Sequence, residues 1–284
     1  MKEIKSRQNE PKMLQYQFTA RHNFNKAERI NSALWIVSII TALFAFVPNL
    51  EDASWFTPIP VLVDAIVLIL CFTCNNSVKN AADIRAIFDD YVLGLNSLAI
   101  SKERKGQLNE IVRKTLKLHS TEAQVQMNNT GNDTPPGVKD WYEFPNTIEV
   151  QSPVLFCQRQ NMWWTNKMMN AKCILFLIEA IILIAFISII VFLSDITSFE
   201  KAICLIGFII KVIDRVYNIV HYCICYLKTT GAIEIQDNNC TKEYLVKIQE
   251  RINNLRAIPI LGKNKCHQML ANKLSKCFKE TIEE

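Results

Sequence analysis

The apolar positions of this chain are gathered into long runs rather than spread at the spacing of a soluble core. Ile30 to Leu50 is 21 residues without a charge. At a helical rise of about 1.5 Å per residue such a run crosses a hydrocarbon layer of about 30 Å. Phe56 to Val78 is a second run, interrupted by Asp64, and Cys173 to Ser194 a third, interrupted by Glu179. A fourth, roughly Ile203 to Tyr226, contains Lys211, Asp214 and Arg215, so it reads either as a span or as a buried amphipathic helix. Pro48, Pro58 and Pro60 break helix between the first two runs and predict a short outer turn. Past Val78 the pattern turns amphipathic, with Ile84, Ile87, Phe88, Tyr91, Leu95 and Leu98 at three- and four-residue steps, so the second span is expected to run on into this helix. A shorter helix carries Leu108, Ile111, Val112 and Leu116, and Asn128 to Gly137 reads as a surface loop. Leu245, Ile248, Ile252 and Leu255 mark a last helix that needs a partner for its apolar face, in its own chain or in another.

The pattern predicts an all-α membrane protein with four transmembrane helices in two hairpins. A helical cytoplasmic domain lies between spans 2 and 3, and a cytoplasmic helix ends the chain. In numbers, 1–30 is a cytoplasmic N-terminal segment, 31–78 hairpin 1, 79–170 the cytoplasmic domain, 171–226 hairpin 2 and 227–284 a cytoplasmic C-terminal segment.

Charge fixes the orientation, because Lys and Arg near span ends stay in the cytoplasm. Seven precede the first span (Lys2, Lys5, Arg7, Lys12, Arg21, Lys26 and Arg29), twelve lie from Lys79 to Lys172 and nine follow Lys228, whereas the turn Glu51 to Phe56 has none. Both termini are therefore expected inside. The net charge of +5 is mostly this bias, so no direct DNA or RNA binding is expected. The first run starts behind a polar, charged lead with no small-residue cleavage pattern, which argues against a removed signal peptide.

Ten cysteines bring in metal and disulfide chemistry without supporting either. Cys71 and Cys74, and Cys223 and Cys225, sit in or beside spans with no His-Cys set at zinc spacing, and cytoplasmic thiols stay reduced. No phosphate loop or hydrolase signature occurs and the four histidines are scattered, so neither an enzyme nor a cofactor is expected. The intramembrane charges Asp64, Glu179, Lys211, Asp214 and Arg215 carry more information, since each costs roughly 2.5–3.5 kcal/mol at mid-span unless paired or wet. Helical depth suggests a Glu179–Arg215 contact and a Lys211–Asp214 pair. These groups either line a pore or hold the helices together. Trp141, Tyr142, Trp163 and Trp164 precede the third span and read as an interfacial aromatic belt.

Several short motifs occur in a characteristic order. Arg7-Gln8-Asn9 and Ala20-Arg21 lead to Ala27-Glu28-Arg29-Ile30, and Phe88-Asp89-Asp90-Tyr91-Val92-Leu93 follows the second span. Then come Asp140-Trp141-Tyr142, Cys157-Gln158-Arg159-Gln160-Asn161 with Trp163-Trp164, and a Gln249-Glu250 helix leading to Arg256 and Pro259. This order resembles the SMODS-associating four-transmembrane effector family, pore-forming effectors found with bacterial cyclic-oligonucleotide anti-phage systems. Two departures stand out: Gly94-Leu95-Asn96 where the family has Trp-Asn, and Pro259-Ile260-Leu261-Gly262 where it has Pro-Asp-aromatic. The resemblance implies a multi-pass protein of the bacterial inner membrane, and because four helices alone rarely enclose a wide channel, a homo-oligomer in the bilayer is expected. It would be gated by a cyclic di- or trinucleotide from a partner nucleotidyltransferase and would permeabilise the membrane in abortive infection.

A ligand of that kind needs cations for its phosphates and flat faces for its bases. Arg159 with Trp163 offers both within one helical turn, and Arg85, Arg104, Lys105 and Arg113 are further candidates. The competing reading makes Arg159 a structural partner of an aspartate such as Asp89. At the level of the whole protein the competing function is a membrane sensor or scaffold that forms no pore and recruits a protein partner. An ion-coupled transporter fits less well, for the chain shows no internal repeat.

Overall fold

The computed structural model describes residues 1–44, 58–145, 152–193, 199–234 and 240–260, together with Cys277. Among these residues the chain is helical, and eight helices are formed: α1 (Lys2–Gln8), α2 (Pro11–Phe44), α3 (Pro58–Val92), α4 (Lys102–Leu118), α5 (Ser120–Asn128), α6 (Pro153–Leu193), α7 (Phe199–Glu234) and α8 (Lys242–Ala257). Three of the four long helices, α2, α3 and α6, begin on proline. The ring presets φ at the first helical position, where no N–H partner is needed. Ser101 and Thr241 start α4 and α8 by accepting from the backbone N–H groups of Arg104 at 3.1 Å and Tyr244 at 3.3 Å.

Helices α2 and α3 pack antiparallel along most of their length. Tyr91 Oη donates to Glu10 at 2.9 Å, Arg85 Nε to Gln17 Oε1 at 3.1 Å and Cys74 Sγ to the Ala27 carbonyl at 3.3 Å, which fixes one register from Glu10 to Ala27. Helices α6 and α7 join this pair. Trp35 of α2 sits 6.0 Å from both Phe176 of α6 and Phe208 of α7, and Lys172 of α6 donates to Glu28 of α2 at 2.5 Å. The expectation that the second run continues into an amphipathic helix holds, since α3 is unbroken to Val92. Gly94 then ends it in a left-handed turn at φ +68°, with Leu95 N–H returning to the Asp90 carbonyl at 3.1 Å.

Two surfaces divide the molecule. At one end Ile4, Tyr16, Phe88, Leu108, Leu155, Ile252 and Ile260 form one buried core. Helix α8 inserts the predicted face, Leu245, Ile248, Ile252 and Leu255, into that core, so its partner is its own chain. Further along, large apolar side chains stand outward: Leu62, Leu68, Ile69 and Phe72 of α3, Ile181 and Ile182 of α6, and Ile213 of α7. Among the described residues, α2 and Val61–Val92 are long and apolar enough to cross a membrane by length and composition.

One expectation is corrected. Tyr142 is not part of an aromatic belt: it is 1% exposed in the core, because Asp89, 53 positions away in sequence, draws its hydroxyl inward.

A buried carboxylate and the cleft beside it

Asp89 is fully buried and gathers three elements. Its Oδ1 accepts from Tyr142 Oη at 2.6 Å, and its Oδ2 accepts from Gln249 Nε2 at 2.9 Å and from the Arg256 guanidinium. Asn161 of α6 donates to the same tyrosine oxygen at 2.8 Å, and Gln158 donates to the Leu245 carbonyl at 2.8 Å. Gln8 grips the Tyr142 backbone from both sides, accepting its N–H at 2.7 Å and donating to its carbonyl at 3.3 Å. Asn9 accepts from the Asp140 N–H at 3.0 Å and donates to the Asp140 carboxylate Oδ1 at 2.7 Å, where a φ of +53° turns the chain. Burial, and then the Asp89 charge, push the Tyr142 pKa well above its ordinary value, so the hydroxyl remains a donor. The same two causes raise the Cys157 thiol and keep it from thiolate chemistry. The motif residues Gln8, Asn9, Asp89, Tyr142, Gln158, Asn161, Gln249 and Arg256 are thus one network. Its effect is to hold Trp141 in place.

Trp141 forms one wall of a cleft of about 200 Å³, enough for on the order of a dozen waters or a compact organic group. Arg21 and Glu28 of α2, Arg85 of α3, Lys139 of the loop after α5, and Trp164 and Lys172 of α6 line it, and Arg256 in the last turn of α8 closes it with Ile258 and Ile260 just beyond. The Arg85 guanidinium stacks on Trp141 at 4.0 Å from the ring centroid. Burial and the neighbouring Arg256 pull the Arg85 pKa down to about 9, which still leaves it charged at neutral pH. A desolvated cation beside a second cation gains from an incoming anion. Arg21 holds the loop wall through the carbonyls of Pro136 at 2.8 Å and Gly137 at 3.2 Å. The cleft carries five cations against three carboxylates, with two indole faces. That composition suits phosphate and aromatic base together.

The sequence candidates distribute unevenly around this cleft. Arg85 lines it. Arg159 is exposed on α6 and Trp163 packs edge-on against Trp164 at 5.8 Å, both outside the cleft lining. Arg104 binds Asp83 at 2.6 Å and Asn80 at 2.8 Å, Arg113 is exposed and bonded to Glu110 at 3.0 Å, and Lys105 is exposed. The arginine that meets Asp89 is Arg256. Of the intramembrane charges, Lys211 is buried with Nζ 3.6 Å from Cys71 Sγ, Asp214 is exposed and Asp64 is half-buried. Arg215 is buried 5.2 Å from the Phe176 ring centroid, and it donates to the Pro259 carbonyl at 3.3 Å. The Glu179 side chain, and its expected contact with Arg215, lie outside the described residues. Arg21, Glu28, Lys139, Trp141, Trp164, Lys172 and Arg256 line the cleft although the sequence spacing that pairs Arg159 with Trp163 does not point to them. Motif membership could have flagged all of them except Lys139 and Lys172.

A further grouping joins His22 of α2 to His119 and Glu122 at the α4–α5 junction, with one donor atom of each within 4.8 Å of the others. The reading of four scattered histidines missed it, because 97 residues separate the pair in sequence.

The described residues are helical, with an apolar outward belt at one end and a cationic, indole-walled cleft at the other, the arrangement of a membrane protein with a polar domain. A family model for the SMODS-associating 4TM effector domain matches residues 2–213, and the chain belongs to that family. It is a membrane effector of a cyclic-oligonucleotide defence system. No curated protein and no solved structure matches the chain.

Proposed function

We propose that this protein permeabilises the bacterial inner membrane when a cyclic oligonucleotide occupies the cleft between Trp141, Arg85 and Arg256. The observation that carries the reading is that one segment serves both ends. Arg256, Ile258 and Ile260 close the cleft, while the Pro259 carbonyl between them holds Arg215 of α7. A phosphate drawn to Arg256 competes with Asp89 for the same guanidinium and shifts the segment that anchors α7. Differential contact of this kind is what a ligand needs to bias a conformational equilibrium. The Glu28–Lys172 pair at the cleft floor ties α2 to α6, so both hairpins report on the same space.

In this reading the four spans lie within α2, α3, α6 and α7, whose other ends, with both termini and the cleft, are on the cytoplasmic side. Lys211 and Arg215 then sit toward the inner ends of the spans, next to the segment that moves. The bilayer is one partner and further copies of the chain are the other, because four helices alone seldom enclose a wide channel. The test is dye release from liposomes holding the purified, oriented protein, with cyclic di- and trinucleotides added singly. Release with one nucleotide, lost in Arg85→Ala, supports the gated pore. Nucleotide binding without release by any variant or lipid mixture moves the assignment to a sensor that recruits a protein partner.

A further inference from the structure

We propose that His22, His119 and Glu122 form a site for a divalent transition-metal ion of the zinc class, which clamps α5 to α2. The three residues supply two imidazoles and a carboxylate, a donor set that zinc takes with a fourth position left to water. Their donor atoms lie within 4.8 Å of one another, and His119 Nδ1 stands 3.8 Å from Glu122 Oε2. Tetrahedral zinc with bonds of about 2.0–2.1 Å needs its ligands roughly 3.3 Å apart. Side-chain rotations alone can supply the remaining movement, since His119 and Glu122 are 38% and 46% exposed.

The second oxygen of Glu122, Oε1, accepts from Gln126 Nε2 at 2.9 Å, which turns Oε2 toward His119. Outer hydrogen bonds of this kind orient metal ligands. The two imidazole rings lie 4.1 Å apart, centroid to centroid, at a tilt of 41°. Phe18 of the core below lies 6.1 Å from the His22 ring, so the two imidazoles are held side by side at the rim of that core.

The architecture gives the clamp a purpose. Helix α5 has nine residues, and Ala123 is its one buried position among the described residues. So short a helix does not hold in water unaided. The small core beneath it is Phe18, Ala123 and Val138. A bound ion would join α5 to α2 one residue from Arg21, whose hydrogen bonds to Pro136 and Gly137 set the loop wall of the cleft. Metal binding at such a site is folding free energy for the elements it joins.

The test uses the full-length protein in nanodiscs, stripped with a chelator and titrated with CoCl2 while the visible spectrum and the unfolding temperature are recorded. One equivalent of Co2+ is expected, displaceable by ZnCl2, with the weak d–d bands of nitrogen and oxygen ligands and no thiolate charge-transfer band. That signature separates this site from the cysteines. Affinity should fall at least tenfold in His119→Ala. Glu122→Gln, an exposed change that leaves the fold intact, should weaken binding by a similar factor. No uptake of Co2+, a thiolate spectrum, or unchanged affinity in Glu122→Gln overturns the proposal, and none of these readouts depends on nucleotide binding or on a pore.

Discussion

Replacing Asp89 by asparagine keeps the shape of the buried side chain and removes its charge, which isolates what the carboxylate does. Both of its oxygens accept: Oδ1 from Tyr142 and Oδ2 from Gln249 and Arg256. An amide offers one acceptor oxygen, so its NH2 group must face a donor on one side. Tyr142 cannot simply turn its hydroxyl, because that oxygen already accepts from Asn161. Arg256 is 8% exposed and would be left as an uncompensated buried cation. Breaking a buried pair from one side costs about 3–5 kcal/mol. For a chain of this size each kcal/mol moves the midpoint by about 2–4 °C, so the unfolding temperature should drop by roughly 10 °C. The assay is intrinsic tryptophan fluorescence during a temperature ramp in nanodiscs. A second variant, Asp89→Asn with Arg256→Gln, removes the orphaned charge and should be more stable than Asp89→Asn alone. A midpoint shift under about 3 °C for the single variant, or a double variant whose loss equals the sum of the two singles, refutes the reasoning.

Three further outcomes are expected. Trp141→Ala should weaken nucleotide affinity tenfold or more by calorimetry, since stacking on an aromatic contributes about 1–3 kcal/mol per base, whereas Arg159→Ala should change it less than threefold. Arg215→Ala should leave nucleotide binding intact and abolish dye release, and release at the wild-type rate would break the proposed link from Pro259 to α7. Gly94→Ala and Gly137→Ala should separate sharply in thermal unfolding. At Gly94 the added carbon meets the flexible end of Arg7 at 2.8 Å and the cost is mainly the φ of +68°, about 1–2 kcal/mol. At Gly137 it would lie 1.8 Å from the Asn129 carbonyl oxygen, so the loop must move and the Arg21 contacts should go with it.

What the sequence disclosed follows the range of the forces involved. The apolar runs and the face of α8 were legible because burial against lipid or core leaves a periodic record along one segment. The continuity of α3 was legible for the same reason, its spacing changing from uniform to amphipathic without a break. Tyr142 was misplaced because an aromatic ahead of a span has two destinations, and the choice rests on Asp89, which no local pattern reveals. His22 and His119 were passed over on the same ground. Arg159 drew notice as a cation one turn from an indole, yet the guanidinium that stacks on an indole in the cleft is Arg85, supplied by a different helix. The motif residues were visible as a series, but a series does not say that Gln8, Tyr142 and Arg256 meet at one carboxylate.

Arg256 lies 167 positions after Asp89, and this separation orders events during synthesis. At about 5–20 residues per second the ribosome needs roughly ten to thirty seconds between the two. Over that interval α2 and α3 are complete while the cleft still lacks its closing segment and Asp89 its counter-ion. On the proposed function, the nascent protein is therefore deaf to the signal until α8 is made. A message broken before that codon then yields a product with neither a closed cleft nor a paired Asp89, and so one that cannot open the membrane in response to a nucleotide.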